Sequence, residues 1–346
     1  QKDFKFKNII EIDHAKKLTI GDDFTITSYQ FNPIIIDSSL VIETNNLTLL
    51  NSNDSKVFGL SLKHIIDNHN KIDFVFRSHS SAAPIPHCIK GIDAGETSRS
   101  PQDYADDFIS FCNATKSSYA IPFASSHIYL HPESRKFNKF YSNPQFVKES
   151  FDSTSKLNQQ CVIMPSGSKW SREQGFEIVN HDYSLIKDHI NEGVVNHKDK
   201  LDKLILKGTK TSLNSRAFHK YFYNFLQAAK FPFSMGFKFG FLVHEEKNDK
   251  KLLCIVNGKK KLTKIIEIYN ENEMYKFGLS FIIITPIYVF NDCNSKIMHN
   301  TYGPSKLLEI ILTSKNSNKH LNFYLALIDF YENDCLPITN LISIRN

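Results

Sequence analysis

Three strand-like runs in the first half of the chain each end in a polar loop, and helical stretches separate them. Asn51-Ser52-Asn53-Asp54 follows Leu47 to Leu50, Arg77-Ser78-His79-Ser80-Ser81 follows Ile72 to Phe76, and Ser125-Ser126-His127 follows Tyr119 to Phe123. Strands that alternate with helices form layered α/β domains, and in such domains the loops at the strand ends gather on one edge. The expectation is therefore an α/β fold with its chemistry at that edge.

Local signals fill in the frame. Phe24 to Phe31 reads as a strand, and Ser39 to Glu43 pairs with Leu47 to Leu50 across Asn45-Asn46, a hairpin turn sequence. Phe58, Leu62, Ile65, Ile66 and His69 recur at helical spacing. A second helix is expected over Pro101 to Thr115. Ser100 is its N-cap, Pro101 stands at its first position, and Asp103, Asp106 and Asp107 lie near its positive end. Its buried stripe is Tyr104, Phe108, Phe111 and Cys112.

The character changes after Trp170. Residues 181–208 are polar and lysine-rich, and an amphipathic helix follows over Asn214 to Ala229. Long β segments are expected at 231–244, 251–256, 262–269 and 275–290, the middle pair joined by an Asn257-Gly258 turn, and another helix at Ser305 to Leu312. Strands with segregated helices indicate an α+β domain. The boundary falls between 165 and 200, giving an α/β part over residues 1–170 and a basic α+β part over 171–346.

Composition narrows the class. With 346 residues and 41% hydrophobic content the chain is an ordinary globular one. Apolar runs such as Phe281 to Pro286 fall far short of the ~18 residues a membrane span needs, and no leader pattern opens the sequence, so the expected location is the cytoplasm. Six scattered cysteines with no CxxC indicate buried thiols rather than a disulfide framework or a Cys-rich metal site. Residues 1–170 carry 18 basic and 18 acidic side chains, so the net +6 lies in 171–346, with 24 against 18. Lys247, Lys250, Lys251, Lys259 to Lys261 and Lys264 could touch an anionic partner or form a solvated tip; no nucleic-acid-binding signature accompanies them.

Several strings occur in an order that resembles a known family: TIGDDFTITSYQF (19–31), LLNSND (49–54), IDFVFRSHSSA followed by PIPHC (72–88), and YAIPFASSHIYLHPESRKFN (119–138). They resemble the second half of the metallo-β-lactamase superfamily, in the branch containing the catalytic domain of CMP-N-acetylneuraminate hydroxylase and its bacterial relatives. The resemblance covers residues 15–170. It implies the C-terminal half of an αββα fold and a dinuclear zinc or iron site, with Asp54 as the bridging carboxylate and His127 as the late histidine ligand. The chain departs from the family in lacking His-x-His-x-Asp-His, a motif that would precede this segment, so the resemblance also implies a separate N-terminal half, a second polypeptide or a lost metal site. No paired Cys and His ligands of a Rieske cluster are present, and Ser168 in Met164 to Trp170 stands where relatives often have Asp.

Read from the residues alone, Asp54 suits an Asx turn or a helix N-cap, and His127 a structural strand-end histidine. His79 is a candidate catalytic residue, and Arg77, Ser80, Ser81 and His131 are candidates to bind a small-molecule substrate, with an ion pair or a surface turn as the plainer alternative. Ser126 would fix the His127 tautomer. His87 and Cys88, beside Pro84 and Pro86, read as a rim of the pocket or, more simply, a stiff loop. No GxSxG elbow supports a Ser-His-Asp triad. The leading function is a metal-dependent hydrolase; the alternatives are a non-haem iron oxygenase acting on a sugar or natural-product intermediate, and a non-catalytic scaffold that binds an anionic partner. The second half resembles sterol-carrier-like domains, where Phe231, Phe233, Phe237, Phe239 and Phe241 would line an apolar cavity or simply form a core.

Overall fold

The computed structural model describes residues 8–30, 37–55, 57–69, 71–83, 85, 87–91, 99–125, 127–155, 158–229, 235–300 and 303–336. Gln1, Phe31, Pro84, Pro86, Ser126, Phe231 and Phe233 lie outside the described residues. The chain forms two units: Gln1–Ser81, Ser100–Ser126 and Tyr141–Leu185 make the first, and Ala82–Arg99, His127–Phe140 and Ile186–Asn346 the second.

The first unit opens as an antiparallel meander: β1 (Lys17–Thr19), β2 (Phe24–Gln30), β3 (Ser38–Thr44) and β4 (Leu47–Asn53). Asn45 and Asn46 link β3 to β4 with φ of 43° and 62°. Two left-handed residues match the twist of the flanking strands, and Asn tolerates that region better than most side chains. Then follow α1 (Gly59–Asn68) and β5 (Phe74–Arg77); β6 (Ile89–Gly91) belongs to the second unit. The first unit resumes with α2 (Pro101–Thr115), β7 (Tyr119–Pro122), α3 (Pro144–Thr154), β8 (Gln160–Cys161) and a hairpin of β9 (Lys169–Ser171) and β10 (Gly175–Glu177).

Its sheet runs β1-β2-β3-β4-β5-β7-β8, with β4, β5, β7 and β8 parallel. Each parallel crossover steps the same way along the sheet, so right-handed connections place the helices on one face. Val41, Leu50, Val75, Ala120 and Cys161 accordingly pack with Leu62, Ile65, Phe108, Cys112, Val147 and Phe151 of α1, α2 and α3. Strand alternation turns Phe74, Ile121 and Val162 to the other face, where Trp170 and Phe176 of the hairpin cover them. Helix α2 begins where its signals place it: Ser100 Oγ accepts from Asp103 N at 3.2 Å and Asp103 Oδ2 accepts from Ser100 N at 2.6 Å, a capping box.

The second unit adds α4 (Ile186–Asn196), α5 (Lys198–Lys210), α6 (Ser215–Ala228), β11 (Lys238–Glu245), β12 (Lys250–Asn257), β13 (Leu262–Ile268), β14 (Phe281–Ile284), α7 (Ile287–Lys296), β15 (Glu309–Leu312) and α8 (Ser317–Glu332). Its sheet order is β13-β12-β11-β14-β15-β6. Strands β11 to β13 are an antiparallel meander, and β14 joins β11 in parallel. Phe239 and Phe241 on β11 are wholly buried against Phe222 of α6, Phe281, Phe290 and Tyr324. Leu242, Leu253 and Ile282 face the opposite way, onto Met274 and Leu279. The aromatic alternation of β11 is thus core packing.

Two expectations for this half change. Of 275–290 only Phe281–Ile284 is a strand; Glu271–Phe277 is a 3-10 turn, and Pro286 caps α7 where the strand was expected to continue. The expected helix at Ser305 to Leu312 is instead strand β15, whose Ile310 and Leu312 are buried while Glu309 and Ile311 are less so, a period of two. The polar stretch 181–208 contains α4 and part of α5, neither with a buried residue.

Candidate functional site

Because β4, β5 and β7 are parallel neighbours, their C-terminal ends lie on one edge of the sheet, and the three polar loops read from the sequence are adjacent. The backbone ties them together: Ser78 N donates to Asn53 O at 2.8 Å and Phe123 N to Arg77 O at 2.9 Å. Ser125 joins the β5 and β7 loops. Its Oγ accepts from His79 N at 2.7 Å and Ser80 N at 3.1 Å, and its carbonyl accepts from Ser80 Oγ at 3.0 Å.

Arg77 performs the same task between β5 and β4. Its guanidinium donates to Ser52 Oγ at 3.1 Å and to the Ser55 carbonyl, and it lies 4.4 Å from the centroid of the Phe111 ring. Only 7% of the residue is exposed. Burial lowers its pKa, and the nearby acids Asp107, Asp37 and Asp54 oppose that shift. Its hydrogen bonds go to neutral oxygens, so Arg77 acts from inside the edge. The turn it braces, after the register shift between Asn51 and Asn53, leaves Asp54 exposed. His79 and Ser80 are buried at 1% and 5% exposure, and Ser81 is partly exposed.

Of the candidate residues, the first unit therefore brings Asp54, Arg77, His79, Ser80 and Ser81 to one edge. His127 and His131 belong to the second unit. His127 packs edge-on to Tyr129, with ring centroids 5.4 Å apart. His131 Nε2 is 3.5 Å from Tyr288 Oη, and burial lowers its pKa. His131 and Tyr288 line a cavity of about 420 Å³ within that unit. Among the described residues no group of three or more His, Cys, Asp or Glu is placed to hold a metal. No chemical step below passes through a metal.

Two further constellations gave no advance signal. Lys306, with φ of 50° and 2% exposure, places Nζ 2.6 Å from His87 Nδ1 and over the rings of Tyr129 and Phe137 at 5.3 and 5.7 Å. His87 stacks on Phe140 with centroids 4.2 Å apart. Burial lowers Lys306 to about 8 and His87 to about 4, the latter helped by the neighbouring Lys306 charge. In the first unit, Glu43 Oε1, His69 Nδ1, His69 Nε2 and Tyr29 Oη form a relay with contacts of 3.3 and 2.9 Å. His69 shows in the sequence only as the last member of a helical stripe, and nothing marks Lys306 as buried. Compared with known proteins, the chain matches no family model and no curated sequence.

Proposed function

We propose that this chain is a hydrolytic enzyme of metallo-β-lactamase type, working at the C-terminal edge of β4, β5 and β7, with Asp54 as the carboxylate that holds and orients the attacking water. The reading rests on one observation. A buried guanidinium that, among the described residues, hydrogen-bonds to neutral oxygens and lies over an aromatic face braces the turn that presents an exposed carboxylate. Desolvating a charge is costly, and a site of action is where such preorganisation repays that cost. The Arg77 charge beneath the edge favours a substrate on which negative charge develops, such as an ester, lactam or phosphodiester. The αββα arrangement and the zinc or iron centre belong to this same proposal.

The test is turnover of chromogenic ester, lactam and phosphodiester substrates by the wild-type chain and by Asp54→Asn, with bound metal measured by plasma mass spectrometry. A loss of about 100-fold or more in kcat/KM is expected for the variant. Oxygen-dependent turnover with bound iron would assign the oxygenase reading. Unchanged rates in Asp54→Asn would leave the non-catalytic scaffold.

A further inference from the structure

Three rings of the first unit line a cavity of about 230 Å³: His14 in the turn before β1, Tyr29 on β2 and His64 on α1. The imidazoles of His14 and His64 are nearly parallel, 13° apart, with centroids separated by 6.4 Å. The Tyr29 ring stands across both, at 88° and 80°, with centroids 6.0 and 5.8 Å away. Rings in contact face to face lie about 3.5 Å apart, so the two imidazoles are nearly two layers apart. Each ring is also held in place. Gln30 N donates to His14 Nδ1 at 3.0 Å, which leaves Nε2 to carry the ring proton. Asn68 Nδ2 donates to the His64 carbonyl at 2.7 Å and lies 3.2 Å from His64 Nδ1. The Tyr29 hydroxyl is anchored on His69 Nε2 at 2.9 Å. Walls fixed in advance spare a ligand the cost of ordering them.

We infer that this cavity binds a free, neutral, planar heterocycle, a ring system of nucleobase type stacked between His14 and His64. Flatness follows from the parallel walls. A full layer needs about 7 Å between them, a small widening that the exposed His14 side chain can supply. Neutrality follows from the lining, which among the described residues holds no acid, lysine or arginine. Polar ring edges are met by the Gln30 amide and the Ser61 hydroxyl, both on the lining, which offer donors and acceptors together. Size follows from the volume, which is below the roughly 300 Å³ where pockets for drug-sized ligands begin. Leu60, also on the lining, is 85% exposed and supplies apolar surface for the ligand to cover. The inference is independent of the hydrolytic reading, whose residues lie at the ends of β4, β5 and β7, and either can fail alone.

Titration of the full chain with adenine, indole, cyclohexanol and adenosine monophosphate, followed by NMR of the histidine ring protons, tests it. Adenine and indole should bind at millimolar concentration or below and move the His14 and His64 ring protons upfield, as an aromatic face laid on each imidazole does. Cyclohexanol, which has no π face, should bind about tenfold more weakly than indole, and adenosine monophosphate should bind within about threefold of adenine. His14→Ala and His64→Ala each remove one wall from an exposed position and should weaken adenine binding about tenfold, while His14→Phe, which restores a flat face, should recover most of the loss. Unmoved ring protons with adenine and indole at their solubility limits, or binding that both alanine variants leave unchanged, would overturn the proposal. So would cyclohexanol matching indole, which would make the cavity a general apolar hollow, or a strong preference for adenosine monophosphate, which would assign it to a phosphorylated ligand.

Discussion

Arg77 in the first unit and Lys306 in the second are both almost wholly buried, at 7% and 2% exposure, yet only one of them keeps its charge at every pH a protein survives. Arg77 sits against a hydroxyl, a carbonyl and an aromatic face, and its delocalised charge needs less hydration than an ammonium does. Lys306 sits near two rings and an imidazole, and burial, which strips a compact ammonium of its hydration, lowers its pKa to about 8. Burial thus makes a permanent brace of one cation and a titratable group of the other.

The largest effect expected from this contrast is at Arg77. Arg77→Ala leaves Ser52 Oγ and the Ser55 carbonyl without their donor and opens a void under Phe111, so a loss of about 3–4 kcal/mol in urea unfolding is expected. Arg77→Lys should recover less than half of this, because an ammonium cannot stack on Phe111 while bonding to both oxygens. Recovery of the full stability by lysine would break the comparison.

The next effect is a pH dependence confined to the second unit. Lys306 and His87 both bind protons more weakly in the folded state than in the unfolded one, so the unfolded state holds more protons between each pair of pKa values. The contribution of His87 should therefore rise with pH from about 4 to 6.5 and that of Lys306 from about 8 to 10.5, the latter by roughly 3 kcal/mol at most and against the opposite contribution of buried thiols such as Cys88, which burial pushes up to about 12. The stability difference between the wild-type chain and Lys306→Met in chemical denaturation should therefore shift in favour of wild type as pH rises from about 8 to 10.5. A difference that does not change over that range would show that Lys306 does not titrate there. Arg77 contributes to neither window.

A smaller effect sharpens the first half of the contrast. Ser125→Ala deprives His79 N and Ser80 N of one shared acceptor, which should cost about 1–3 kcal/mol in denaturant unfolding while leaving the Lys306 contribution as it is.

The sequence was most legible where short-range chemistry decides. Asn45-Asn46 marked the β3–β4 hairpin because few residues accept φ of 43° and 62°, and Ser100-Pro101 with Asp103 marked the start of α2 because a helix leaves its first N–H groups needing acceptors. The polar strand ends of β4, β5 and β7 could be read together because parallel neighbours must end on the same edge. Residues whose place depends on distant partners could not be read. Ile89 to Gly91 is a strand only because Ile310 to Leu312 lies beside it. The site followed the same division. The loop residues were recognisable as a polar cluster, but the inward course of Arg77 and the burial of Lys306 are set by Phe111, Tyr129 and Phe137, none of which is close in sequence.

The short strand β6 gives the chain an order of assembly. Ile89 pairs with Ile310, so this edge of the second sheet waits for chain made roughly 220 residues later. Until the ribosome has delivered β15, residues 89–91 have no ladder to join, and the nascent first unit carries them as an unfinished excursion between β5 and α2. A cut at residue 185 would therefore not yield two finished proteins. The downstream fragment would expose the flank of β15 to any passing strand, and the upstream one would keep a segment with nothing to pair with.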